Sequence, residues 1–417
     1  MKILIDNSGY ELKNIGDISM LIVALSRINS LLPEAKVSVF TVNPEKLKSI
    51  YPNAEPVEIN GRKLWKQKRN LFGGIFRLIP NKLTPYVEFF EDWLKFKHPN
   101  LVYPIIHYRL QKRGFETQPI RKYLDKVIES DYVIATGGGF VTDCFSSHAE
   151  NVLNTLELAQ NMGKPTAMLG QGLGPLTNLR LENIAKRVFP KLLMIGLREG
   201  VYSKDLAIKL GGKKECIRVT GDDAIEITLK HRDTIKSSKK IGINLRIADY
   251  SSLNKESIFQ IKETLLKTSQ ILSADLSPIP ISSHSEDSDI KALSQLLNKS
   301  LKISDYETVE SVLKEISSCR IVVTGSYHAG VFALSLGIPV VAIVASEYYK
   351  QKFDGLKGQF KYAFHIVDVQ SAESVGDILS KSIEAAWNNV LSERSLLIDS
   401  ANSQIEKSKN IYKSFLV

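Results

Sequence analysis

The chain has 417 residues, too many for one comfortable hydrophobic core, so two domains are expected. Its 43% hydrophobic and 24% charged residues are ordinary for a globular protein. No apolar run approaches the roughly 20 residues of a membrane span. Three widely separated cysteines (Cys144, Cys216 and Cys319) form no CxxC pair, which argues against a zinc site or a disulfide framework and suits a reducing compartment.

From the N-terminus, strand-like and helix-like segments alternate. "MKILIDNSG" reads as a strand entered directly from Met1, with no signal peptide expected. "GDISMLIVALSRINSLL" has helical periodicity and "AKVSVFTV" is the next strand. The stretch from Gly61 to Lys122 interrupts this pattern. It carries 14 basic and four acidic residues, interleaved with Trp65, Phe72, Phe76, Tyr86, Phe89, Phe90, Trp93 and Phe96. No nucleic-acid-binding signature accompanies it, so nucleic acid is not an expected partner. Two readings stay open for this stretch: a patch for an anionic membrane surface, or an insertion that packs its aromatics inward.

Alternation resumes with "DYVIATGGG", a helix from about Glu150 to Met162, "PTAMLGQGLGP", "LLMIGLRE", the helix "SKDLAIKLGG" and the strand "CIRVTGD". "LKHRDTIKSSKK" (229–240) is polar and basic and reads as a linker. A second series follows, through "KIGINLRIADY", "SADLSPIPISSH" and "CRIVVTGSYH" to "VVAIVA". This spacing predicts βαβ units and parallel sheets. The expected architecture is α/β, with two Rossmann-like domains, 1–228 and 238–370, facing across a cleft. C-terminal helices over 371–417 pack back across them.

Chemistry-bearing residues collect where strands end, the edge at which open α/β sheets bind ligands. In the first half, "NIGD", "TGGGFVTD" and "GQGLGP" are glycine-rich turns at such ends, with Asp17 as a candidate helix cap. They predict a binding rim of Asn14, Asp17, Gly137, Gly138, Gly139, Asp143 and Gln171. In the second half, Arg246, then His284 and Glu286 in "SSHSED", then His328, then Lys350 and Lys352 follow successive strands. Cations at that edge predict an anion site. His328 stands between a strand and a helix start, where a packing role and a functional one are both open. GxGxxG, GxxxxGK[ST], HExxH and GxSxG are all absent, so neither a nicotinamide cofactor nor a metal is expected.

"NSGYELKNIGDISML", "IATGGGFVTD", "GQGLGPL", "LREGVYSKDLAIKLG", "VTGDDAIEI", "INLR", "HSEDSD" and "GSYHAGVFALSLGIPVVAI" occur here in the order found in polysaccharide pyruvyl transferases, a family the chain resembles. The resemblance implies a GT-B-like pair of domains and transfer of the enolpyruvyl group of phosphoenolpyruvate to a sugar, leaving a pyruvate ketal and phosphate. The acceptor would be a cell-surface glycan or its lipid-linked precursor, met in the cytoplasm, with peripheral contact at the inner face of the plasma membrane through 61–122. The family's Arg-hydrophobic-His element aligns with Ser326-Tyr327-His328, with Ser326 in place of the arginine. The resemblance therefore implies His328 as the proton-transfer residue on the donor side, with Arg246, Lys350 or Lys352 replacing the missing cation. The rim on the first domain would take the acceptor. Two further classes stay open: a glycosyltransferase using a nucleotide-sugar donor, and a non-catalytic glycan-pathway protein on the same fold.

Overall fold

The computed structural model describes residues 1–234, 238–245, 254–284, 288–370 and 374–417. Arg246 and Glu286, both expected at the donor site, lie outside the described residues.

Eight strands form the first sheet: β1 (Lys2–Asp6), β2 (Lys36–Thr41), β3 (Glu55–Glu58), β4 (Tyr132–Ala135), β5 (Gly138–Val141), β6 (Thr166–Leu173), β7 (Met194–Leu197) and β8 (Ile217–Val219). Their order is β3-β2-β1-β4-β6-β7-β8, with β5 also paired to β6. The second sheet joins β9 (Lys240–Asn244), β10 (Asp275–Pro278), β11 (Ile321–Thr324), β12 (Val340–Val344) and β13 (Phe364–Asp368) in the order β10-β9-β11-β12-β13. Every pairing in both sheets is parallel.

Strand composition explains this. Along β1, Leu4 enters one buried layer while Ile3 and Ile5 enter the opposite one. Along β11, Val322 faces one layer and Ile321 and Val323 face the other. Successive side chains point to opposite faces, and both faces are covered by helices, so these strands read as unbroken apolar runs.

C-terminal to β13 the structure differs from the expected set of helices. One unbroken helix of 42 residues, Val375–Leu416, crosses the molecule. At 1.5 Å per residue it spans about 63 Å. Leu379 and Ile383 pack in the second domain, Leu397 and Ala401 lie midway, and Ile411, Tyr412 and Phe415 reach the first-domain core. The part of the expected linker over 229–234 is more ordered than its polarity suggested, while 235–237 lie outside the described residues. Helical turns continue to Thr234, and His231 is buried. The start of these turns is anchored by Asp223, which accepts hydrogen bonds from Arg27 (2.7 Å), Ser408 (2.6 Å) and Tyr412 (2.8 Å). A buried carboxylate needs that many partners to offset its lost hydration.

Candidate active site

The carboxyl ends of both sheets open on one cleft of about 470 Å³. Direct contacts hold the domains together beside it. Ile15 N–H donates to the Ile281 carbonyl (2.8 Å), Ser283 N–H to the Lys13 carbonyl (3.0 Å), and the Tyr348 hydroxyl to the Gly139 carbonyl (3.4 Å).

His328 sits in the first turn of the helix Tyr327–Ser335. Its ring is nearly buried and packs against the backbone of Gly16, in the helix Ile15–Leu31 of the other domain. A Cβ at Gly16 would fall 2.0 Å from the imidazole Cγ. Glycine is therefore required for the two helices to meet. Gly16→Ala is expected to displace the ring, reduce turnover at least tenfold, and cost about 1–3 kcal/mol of stability through overpacking. Steady-state kinetics and a melting curve on this one variant check both; wild-type kcat would rule out the contact.

Below the ring, His328 Nε2 lies 3.8 Å from Asp222 Oδ2, and Arg198 Nη1 lies 3.6 Å from the same oxygen. Among the described residues neither His328 Nε2 nor Asp222 Oδ2 has a hydrogen-bond partner. Burial pushes the Asp222 carboxyl up to about 6, against the pull of Arg198. Burial first, then the positive charges of Arg198 and Lys352, hold His328 well below its usual 6.5. The imidazole is thus neutral near pH 7 and able to accept a proton.

Those cations come from opposite domains. Arg198 follows β7, and its guanidinium lies 4.1 Å over the Tyr327 ring. Lys352 belongs to the helix Glu347–Phe360, with Nζ 4.0 Å over the Tyr348 ring. They converge at Gly139, where a Cβ would come within 2.3 Å of Arg198 Nη2 and 3.0 Å of Lys352 Cε. Ser326, Tyr327 and His284 also line the cleft, with His284 Nδ1 3.4 Å from Glu11 Oε2 of the first domain.

Of the expected rim, Asn14, Asp17 and Gly139 line the cleft. Asn14, not Asp17, caps the helix by accepting from the N–H groups of Gly16 and Asp17. Asp17 instead accepts from the Ser8 hydroxyl (2.6 Å), and burial raises its pKa. The other expected positions are absent from the cleft wall. Gly137 backs onto Met20 and Gly138 onto Ser8 and Phe140. Gln171 is fully buried beneath the floor, its amide donating to the Thr136 carbonyl (2.9 Å). Asp143 is occupied by the Thr177 hydroxyl and two backbone N–H groups. Lys350 points elsewhere and pairs with Asp354 (2.8 Å), because residues two apart on a helix cannot share a face.

Arg198 and Asp222 are positions that sequence reasoning did not single out, and Arg198 was within reach. It follows the apolar strand "MIGL" just as Arg246 follows "GINL". Asp222 gave no such signal, since its approach to His328 is made by the fold.

A family model described as polysaccharide pyruvyl transferase matches residues 14–347. The chain belongs to that family. As a family member it is a transferase with a sugar acceptor, built on the GT-B-like fold. The Amylovoran biosynthesis protein AmsJ of Erwinia amylovora is 24% identical over 301 residues, 65% of this chain and 68% of AmsJ. Among solved structures, UDP-GlcNAc 2-epimerase from Neisseria meningitidis superposes with a TM-score of 0.58 at 12% identity, covering 100% of this family member and 99% of the epimerase. The Methanocaldococcus jannaschii UDP-GlcNAc 2-epimerase gives 0.57 at 13%, covering 99% and 100%. Such distant similarity establishes the shared two-domain fold.

Proposed function

We propose that the cleft binds phosphoenolpyruvate and transfers its enolpyruvyl group to two hydroxyls of a glycan, forming a pyruvate ketal. The supporting observation is the convergence of Arg198 and Lys352 beside a neutral, buried histidine. Phosphoenolpyruvate carries a carboxylate and a phosphate on one carbon, so it needs two cations at one place, and Ser326 removes the family's usual one. Arg198, contributed by the first domain, takes over that task, and Lys352 rather than Lys350 assists it.

In this reading one sugar hydroxyl gives its proton to the neutral His328, which passes it to the donor methylene, making it a methyl group and leaving a cation-like carbon beside the carboxylate. The oxygen of that hydroxyl bonds to the carbon as the proton moves. The second hydroxyl then forms the other C–O bond as the C–O bond to phosphate breaks. Of the two hydroxyl protons, one balances the methyl proton and the other leaves on hydrogen phosphate. His328 moves these protons by accepting one from a hydroxyl in its neutral form and returning it to the methylene. Arg198 and Lys352 stabilise the departing phosphate. Asn14, Ser8 and His284 also line the cleft and offer hydrogen-bonding groups to the acceptor sugar.

Melting curves provide the test. Phosphoenolpyruvate should raise the melting temperature, because a ligand bound only to the folded state stabilises it. UDP-N-acetylglucosamine should not. A shift with the nucleotide sugar and none with phosphoenolpyruvate would replace this reading with glycosyl transfer.

A further inference from the structure

We infer that the helical insertion following Lys63 docks on an anionic phospholipid bilayer. This goes beyond the donor reading and does not depend on it, since it rests on exposed side chains that take no part in the chemistry proposed for His328.

Three observations carry it. The first is where the apolar surface lies. Eleven of the 24 exposed large hydrophobic side chains among the described residues fall between Ile75 and Phe115. Leu78 is 85% exposed and Tyr86 73%. The second is periodicity. In the helix Thr84–Lys97, Tyr86, Phe89, Phe90 and Trp93 recur at helical spacing on the outer side. In the helix Pro99–Lys112, Leu101, Ile105 and Tyr108 do the same, opposite the buried row Val102, Ile106 and Leu110. A helix apolar on both faces has one more face than its own core needs. Ring stacking of Phe72 on Phe90 (6.0 Å) and of Phe90 on Trp93 (5.6 Å) makes the first row continuous with the preceding loop.

The third observation is charge, and it selects the occupant. Residues 61–122 hold 14 basic and four acidic residues, so this segment accounts for the whole net charge of +10. Its cations sit on rings of this segment: Lys97 over the exposed Trp93 (5.0 Å), Lys112 over the exposed Tyr108 (4.7 Å) and Arg69 over the half-buried Phe76 (5.2 Å). Amphipathic rings with cations beside them match the headgroup level of a bilayer, where aromatics sit at the boundary and Lys or Arg meets anionic lipid. A protein partner or a second copy of this chain would have to bring an acidic surface to the same place. Among the described residues no helix is long and apolar enough to cross a membrane, so the contact lies along the surface. The segment begins at the cleft wall with Lys63, which would place a lipid-linked sugar beside the site.

Co-sedimentation of the full chain with vesicles tests this. Wild type should pellet with phosphatidylglycerol–phosphatidylcholine vesicles, bind pure phosphatidylcholine vesicles at least tenfold more weakly, and be released by high salt. Replacing Lys82, Lys97 and Lys112 by glutamine should weaken binding roughly fivefold per cation. The variant Leu78→Ser/Tyr86→Ser/Leu101→Ser should lose at least tenfold while keeping the wild-type melting temperature, since these side chains support no core. Absence of wild-type binding, or variants that bind as tightly as wild type, overturns the inference. So does sedimentation velocity showing wild-type dimers that the serine variant dissolves, because a second copy would then own the surface.

Discussion

Replacing His328 by alanine is expected to lower turnover by about 10²–10⁴-fold while changing donor affinity much less. The expectation follows from its position, ring nearly buried, Nε2 3.8 Å from Asp222 and without a hydrogen-bond partner among the described residues. His328→Gln separates two roles, since glutamine keeps a hydrogen-bonding group but cannot carry a proton. Near-full activity in His328→Gln would reduce the residue to an orienting part. The pH profile gives a second readout. Burial, Arg198 and Lys352 together lower the His328 pKa, so its basic form persists below pH 6.5. That form is lost as pH falls through the pKa. Removing one cation, in Lys352→Met, should raise the pKa and move the acid limb of kcat/KM to higher pH, towards 6.5. A limb that stays in place would mean that another group controls it.

Arg198→Met should weaken phosphoenolpyruvate binding by about 30- to 4000-fold, or about 2–5 kcal/mol, the usual cost of removing one partner of a buried charged contact. Isothermal titration measures it directly. Arg198→Lys should fall between, because lysine keeps the charge but loses the planar fork. Since Arg198 also faces the buried carboxylate of Asp222, the melting temperature of each variant must accompany the titration. An unchanged dissociation constant in Arg198→Met would exclude this residue from the donor site and leave its role to the second domain.

How far the site could be read from the sequence depended on what each residue's position required. His328, Lys352 and Asn14 were legible because each follows a strand, and strand ends of a parallel sheet converge. The same rule also selected Lys350, Gln171 and Asp143, which the structure turns to other tasks. A strand-end position says which edge a residue occupies and nothing about where its side chain points. Lys350 and Lys352 show the difference most simply, since two residues of helix separate a solvent-facing ion pair from the cleft. In the basic segment, composition identified the region but not the fate of its rings. Trp65 and Phe96 are buried, whereas Tyr86 and Phe89 face out.

The sequence by itself determined the alternation of elements, the parallel sheets, the two-domain plan and the family. These follow from local periodicity and from motifs whose order along the chain is itself the signal. Only the tertiary structure decided that Arg198, Asp222 and Gly16 of the first domain surround a histidine of the second. It also decided that one helix, rather than several, carries the C-terminus from one domain back to the other. The physical reason is that these arrangements are made by side chains far apart in sequence. Gly16 and His328 meet because no Cβ stands between their helices. Arg27 and Tyr412 converge on Asp223 because a buried carboxylate requires donors from wherever the fold can supply them.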